Sequence, residues 1–298
     1  MEVRQLQIFR VLADELSFTR TAEKVHTVQS NITAQIRALE EELGVPLFDR
    51  LGRRVTLTDA GRRFLPFAEK ALAAMEEGQR AIQAGAEPSG PLRVGSPESI
   101  LAYRLPPVLR AFRDRFPNVE LSFGPEGCLD VAATELGNGR LDLVVCMSEA
   151  LPNPALISLP IRTEKLLLLG HSSHPLTRKA AVRPRDLAGQ TLLLTEAGCS
   201  YRSKFERILT MEKVRPGNIT EFSSVEAMKQ CIAAAMGLGL LPEIVVEREL
   251  RKRQFKALRW AGPPLDIPTH IAWHRDKWMS PAMTAFRDLV QSKLAATQ

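Results

Sequence analysis

Gln29, Ser30, Asn31, Thr33 and Arg37 lie close together and are residue types suited to reading nucleic acid. A glutamine amide pairs bidentately with adenine, an arginine reaches guanine or phosphate, and serine and threonine hydroxyls bond bases or phosphate. Arg50, Arg53, Arg54, Arg62 and Arg63 follow, opposed only by Asp59, a local charge of +4 over fourteen residues. Such a cluster suits contact with a sugar–phosphate backbone. Ser17, Thr19 and Thr27 complete the set of residues expected to face a nucleic acid.

The flanking sequence supplies elements that would position this set. Leu6, Phe9 and Leu12 or Ala13 recur at helical spacing. Ser17 fits an N-cap shortly before Thr21-Ala22-Glu23-Lys24-Val25. His26-Thr27-Val28 breaks the pattern, and Ile32, Ile36 and Leu39 form the stripe of a further helix ending before Gly44. This is helix-turn-helix spacing: small Ala22 lets one helix approach the next, and the second presents its polar N-terminal residues. Arg50 to Arg54 and Val55 to Thr58 read as a small hairpin, or wing. Thr58 is expected to cap a long helix from about 59 to 84, with Asp59 favourable at its positive end. Phe64, Ala68, Ala71, Met75, Gln79 and Ile82 fall close to a four-three alternation, the pattern of a dimerising coiled coil. The alternative is a helix packed on its own domain. Pro66 should bend it slightly. Gly85 to Pro91 is a linker by composition.

Beyond the linker, strands alternate with helices. Strands are expected at 92–95, 119–123, 141–146, 165–170, 191–195, 219–222 and 270–274. Helices are expected through Leu105, Leu109 and Phe112, to about 137, near 201–211 and 225–236, and at 281–296. The alternation implies parallel sheet covered on both faces. Some two hundred residues suit two such lobes, so the fold class expected is α followed by α/β.

The 298 residues suggest about two domains. With 45% hydrophobic and 25% charged residues, disorder is excluded as the dominant state. No apolar run is long enough to span a bilayer, the N-terminus lacks a basic and apolar leader, and four cysteines do not make a disulfide scaffold. A cytoplasmic chain with reduced thiols is expected. The net charge of +6 invites a nucleic-acid reading, yet residues 1–87 hold 12 basic and 13 acidic residues while 88–298 hold 28 and 21. The surplus of +7 therefore lies in the second part, where it fits solvated surface or an anionic small-molecule ligand.

The segment Ala22 to Gly61 resembles the LysR-type transcriptional regulators, through Gln29, Thr33, Gln35-Ile36, Leu39-Glu40, Leu43-Gly44, Leu47-Phe48-Asp49-Arg50 and Leu57-Thr58-Asp59-Ala60-Gly61. The likeness extends over essentially the whole chain. Thr21-Ala22 and Ser30-Asn31 depart from the commonest family pattern, which has Ala-Ala and Pro-Ala or Pro-Ser there. The resemblance implies a winged helix-turn-helix at 1–58, a linker and dimerisation helix with a hinge at 59–87, and an effector-binding domain at 88–298. That domain would be two-lobed, similar to type 2 periplasmic binding proteins. Lobe I would take about 91–162 and 267–298, and lobe II about 163–266, with crossings near Arg162-Thr163 and Asp266-Ile267. A homotetramer built as a dimer of dimers is implied, as is a small-molecule effector between the lobes that alters promoter binding. Double-stranded DNA and RNA polymerase are the implied partners, with neither cofactor nor membrane.

Ligands of open α/β sheets sit at the C-terminal ends of strands, often on helix N-termini. Gly95-Ser96-Pro97-Glu98-Ser99, Gly198-Cys199-Ser200-Tyr201-Arg202 and Phe222-Ser223-Ser224-Val225 have that form, and Thr134 and Met147 are further candidates for effector contact. The amides and the Ser99 hydroxyl can hold a carboxylate, and the family likeness also places Ser99 on the pocket. Each serine serves equally well as a helix N-cap. Cys199, at a helix N-terminus near Arg202, could have a lowered pKa, which raises the alternative of a cysteine-based redox sensor. The later Cys231 falls in an apolar helical stretch, and Cys128 and Cys146 look structural. His171 and His174 lack the Cys or acidic cluster of a metal site and resemble a family loop. Gly237 to Pro242 resembles a tight helix-to-strand turn and lacks the Lys-Ser/Thr of a nucleotide loop. A solute-binding protein, or an enzyme with Cys199 as nucleophile, is harder to reconcile with the N-terminal helix-turn-helix and with only five histidines.

Overall fold

The computed structural model describes residues 1–51, 54–81, 87–125, 129–149 and 153–295. The chain divides into two compact units: Met1–Gly85 with Gly137–Arg140, and the remainder.

The first unit begins with α1 (Val3–Glu15), α2 (Phe18–Lys24) and α3 (Gln29–Leu43), followed by β1 (Phe48–Leu51), β2 (Arg54–Leu57) and α4 (Asp59–Ala81). The stripes read from spacing become its core. Ile8, Phe9, Leu12, Ile32, Ile36 and Leu39 are fully buried, each contributing about 1.5–3 kcal/mol. The Phe9 ring packs on Phe48 and Phe64 at 5.5 and 5.3 Å. Helix ends fall where the local chemistry puts them. Ser17 Oγ accepts from Arg20 N, Gly44 closes α3 at φ 72°, and Thr58 Oγ1 accepts from Gly61 N at 2.9 Å. The wing is a hairpin in which Leu51 pairs with Arg54. Arg53, expected on it, lies outside the described residues, as does Ile82 of the α4 stripe. The first half of that stripe serves its own domain: Ala68 is 1% exposed, and Phe64 and Ala71 pack on the same core. Large apolar exposure on α4 falls at Phe67 and Met75.

The second unit holds two five-stranded sheets. Lobe I contains β3 (Gly90–Ser96), α5 (Glu98–Tyr103), α6 (Pro106–Arg115), β4 (Val119–Pro125), α7 (Leu129–Gly137), β5 (Leu143–Met147) and β6 (Leu156–Glu164). Lobe II contains β7 (Leu166–His171), β8 (Thr191–Thr195), α8 (Ser200–Met211), β9 (Asn218–Phe222), α9 (Val225–Ala233), β10 (Leu238–Pro242), α10 (Glu243–Arg251) and β11 (Phe255–Ala257). The chain then returns to lobe I through β12 (Ile267–His274) and α11 (Pro281–Ala295). Strand orders are β4-β3-β5-β12-β6 and β11-β7-β10-β8-β9.

Two expectations are corrected. The sheets are mixed, not parallel: β12 runs antiparallel to β5 and β6, and β7 runs antiparallel to β10 and β11. The antiparallel strands β6, β7 and β12 are those flanking the crossings, where the chain leaves one sheet and enters the other without a covering helix. The helix expected through Leu105 and Phe112 is two helices, with Pro106 opening the second at a position where its missing N–H costs nothing.

Candidate functional site

The head of α3 is built by short polar bonds across the turn. Thr21 Oγ1 donates to the Ser17 carbonyl at 2.8 Å, and Thr21 and Ala22 are buried where α2 meets α3. His26 takes φ 53°, and Thr27 N donates back to the Ala22 carbonyl. Asn31 Nδ2 donates to Thr27 Oγ1 at 3.0 Å, and Thr33 Oγ1 to the Gln29 carbonyl at 3.0 Å. Ser17, Thr27, Asn31 and Thr33 are thus half-buried and hold the turn in shape. Thr19, Gln29, Ser30 and Arg37 are exposed. Thr19 Oγ1 donates to Gln29 Oε1 at 3.2 Å, leaving the Gln29 amide hydrogens to face outward. Arg37 pairs with Glu41 on the open surface at 2.8 Å.

The wing is tied to this head by Glu40, which the sequence reading quoted only for the family resemblance and gave no role. Glu40 Oε1 accepts from the amides of Leu47 and Phe48 at 2.8 and 3.2 Å, and its other oxygen lies 3.9 Å from Arg50. The Arg50 guanidinium also covers the Phe18 ring at 4.8 Å. Arg50 and Arg54 are exposed. The sequence signal for Glu40 was its place beside the buried Leu39 in the last turn and a half of an amphipathic helix, shortly before the wing.

In the second unit, the candidate effector residues fall at strand ends and helix starts. Ser96 ends β3, is 5% exposed, and its hydroxyl has no partner. Ser99 is 2% exposed in α5, and Met147, 4% exposed, ends β5. Thr134 is exposed on α7. Cys199 stands at the N-cap of α8 and Ser200 begins that helix. Tyr201 is buried in the core, where burial raises its pKa well above the ordinary value. Burial also raises the pKa of the Cys199 thiol, beside Thr195 and Tyr201. The lowered pKa expected for Cys199 is therefore corrected: desolvation outweighs the helix N-terminus, and neither neighbour is a base. Cys128 lies outside the described residues. Arg202 donates to Glu206 and Glu221 at 2.8 and 2.6 Å and to the Thr195 carbonyl. Its burial would lower its pKa, but the two carboxylates raise it. Ser223 is exposed, and Ser224 caps α9, accepting from Ala227 N. His171 and His174 serve their own loop, with His171 Nδ1 against Ser173 Oγ at 2.7 Å and His174 Nε2 against Gln190 Oε1 at 3.2 Å.

The two lobes are joined by residues the sequence reading did not single out. Glu98 Oε2 of lobe I accepts from Val225 N, the first amide of α9, at 2.9 Å. Lys229, 3% exposed, donates to Tyr103 Oη at 3.1 Å and pairs with Glu226 and Glu249. Its burial would lower its pKa, but these partners raise it. Within lobe I, at the end of β6 where the chain crosses to lobe II, Arg104 holds Glu164 through two bonds at 2.9 and 2.7 Å, and Arg162 meets the same carboxylate. Glu149 faces Lys204 at 3.2 Å and pairs with Arg207. The only sequence signal was Lys229 itself, a cation inside an apolar helix.

Comparison with known proteins agrees with this architecture. Residues 3–62 match the family described as bacterial regulatory helix-turn-helix protein, lysR family. Residues 85–295 match the LysR substrate binding domain. The chain is 40% identical over 293 residues to the uncharacterized HTH-type transcriptional regulator YwqM of Bacillus subtilis, covering 98% of this chain and 99% of that protein. It is 32% identical to the HTH-type transcriptional regulator GltR of Bacillus subtilis, covering 96% and 95%. Among solved structures, CbnR, a LysR family transcriptional regulator, is 25% identical with a TM-score of 0.69 and 99% coverage of both chains. Full-length OxyR C199D from Pseudomonas aeruginosa has a TM-score of 0.75 at 24% identity, covering 99% and 94%, a likeness of fold. With both parts of the chain matched, and relatives aligned end to end, the chain belongs to the LysR family of DNA-binding transcriptional regulators.

Proposed function

We propose that this regulator reads its operator through Thr19, Gln29, Ser30 and Arg37, with Arg50, Arg53 and Arg54 on the flanking phosphates. We further propose that a small molecule held between the two lobes changes that binding. The observation that carries the second part is the Glu98–Val225 bond, because it brings the lobes together where the candidate residues of α5 and α9 lie. Ser96, Ser99, Ser200, Ser223 and Ser224 supply hydroxyls there, and Met147 and Cys199 supply apolar lining. Ser17, Thr27, Asn31 and Thr33 shape the reading head, and Tyr201 and Arg202 hold lobe II together around the site. The assembly proposed is a dimer of dimers joined through α4, acting on RNA polymerase in the cytoplasm.

The test uses the full-length protein. Small organic acids and amino acids are screened by thermal shift, and hits are carried into gel shifts on DNA upstream of its own gene. A ligand of the native state present at 100-fold its Kd adds about 2.7 kcal/mol to apparent stability. A compound that raises Tm and changes the shift supports the reading. DNA binding that no stabilising compound alters rejects the effector role, and no DNA binding at any salt rejects the whole.

A further inference from the structure

We propose that the basic strip from Arg248 to Arg259 in lobe II is a second DNA-contacting surface, gripping phosphates without reading sequence. Six cations stand there, Arg248, Arg251, Lys252, Arg253, Lys256 and Arg259, all exposed. Set against Glu247 and Glu249, they carry +4 of the +7 surplus of residues 88–298. Glu249 is committed to the buried Lys229 at 2.7 Å. Among the described residues none of the six holds a carboxylate, and Arg251 bonds only its own helix, at the Glu247 carbonyl. The cations at the meeting of the lobes differ: Arg104, Arg162, Lys204, Arg207 and Lys229 each have an acidic partner. The surplus therefore lies outside the cleft.

Local structure accounts for four of the six. Arg248, Arg251 and the C-cap Lys252 complement the negative end of α10. Lys256 guards β11, the outermost strand of its sheet. Arg253 and Arg259 have neither role. So many like charges repel one another, and a polyanion is the partner that relieves this. DNA is the polyanion this family binds. Residues 1–87, with 12 basic and 13 acidic side chains, have no net attraction for it at long range. Beyond the local wing cluster, further attraction has to come from the rest of the chain, and the strip is a dense run of its charge without carboxylate partners among the described residues.

The proposal rests on the DNA-binding reading, and the test separates the two. Full-length protein is titrated onto a fluorescein-labelled random-sequence duplex at several salt concentrations. Wild type is compared with R251Q/K252Q/R253Q/K256Q and with R50Q/R54Q in the wing. Each phosphate contact contributes about 0.9 to the slope of log K against log salt, so the strip variant should flatten the slope by up to about 3.6. R251K/R253K, which keeps the charge, should retain it. A strip variant with the wild-type slope, alongside a flattened wing variant, overturns the proposal and leaves DNA reading intact. If neither variant changes the slope, both fail. Lost promoter activity with an unchanged slope also overturns it, and points to an acidic protein instead. Circular dichroism melts confirm that the exposed substitutions leave the fold in place.

Discussion

Gln29 is held, not merely exposed. Its Oε1 is taken by Thr19 at 3.2 Å, so the amide presents its hydrogens in one direction, and this fixed polarity is what base discrimination requires. Gln29→Ala should lose about 1–3 kcal/mol of discrimination at one base pair while leaving nonspecific affinity unchanged. Competition binding against a set of single-substituted operators measures it, and uniform weakening on every sequence would assign Gln29 to the backbone instead. The polar character of the head of α3 was legible in the sequence, but not its division between exposed Gln29 and Ser30 and the turn-holding Asn31 and Thr33. Nor was the Thr19–Gln29 bond, since it depends on how α2 and α3 cross. Cys199 shows the same limit: its position at a helix start was readable, but the burial against the core that raises its pKa, over the opposing hydrogen bonds of Thr195 and Tyr201, depends on the folded packing.

At the scale of elements, the junction between α3, the wing and α4 is the most tightly specified part of the first unit. A Cβ at Gly61 would collide with the Leu47 carbonyl oxygen, Thr58 caps α4 while donating to the Pro46 carbonyl at 2.8 Å, and Glu40 closes the two amides that begin β1. Glu40→Ala leaves both amides without an acceptor, at about 1–3 kcal/mol each if they stay dry. Urea melts should show a loss of up to about 2–6 kcal/mol for the two together, and an unchanged midpoint would mean that water replaces the carboxylate. Helices with clear stripes, such as α3, α8 and α11, were readable to within a residue or two. The strands missed were β6, β10 and the three-residue β11. Pro160 interrupts β6, which only an edge position tolerates. Leu238–Pro242 is buried along its whole length in the middle of a sheet, and an unbroken apolar run carries no period to separate strand from turn.

At the scale of the whole second unit, buried ions are paired at places where the chain must close on itself. Asp142 shows what that pairing implies for stability. It is 2% exposed, accepts from Arg93 N at 2.8 Å, and lies 3.0 Å from Lys277, so it ties the middle of β3 to the segment after β12. Burial alone would raise its pKa, but Lys277 and Arg93 outweigh burial and hold it below the ordinary value. The unfolded chain, with an aspartate near 3.9, therefore binds more protons than the folded one just below that pH. The contribution is complete above about pH 4–5 and is lost as pH falls through the folded value. Asp142→Asn removes it and leaves Lys277 buried without its partner, which should cost roughly 3–5 kcal/mol at neutral pH. Thermal melts of the full-length chain between neutral and acidic pH test this directly. The gap between wild type and variant should be widest at neutral pH and should narrow on acidification, because the protonated aspartate resembles the amide that replaces it. Two curves that stay parallel down to the acid limit would show that Asp142 acts through its shape and not its charge.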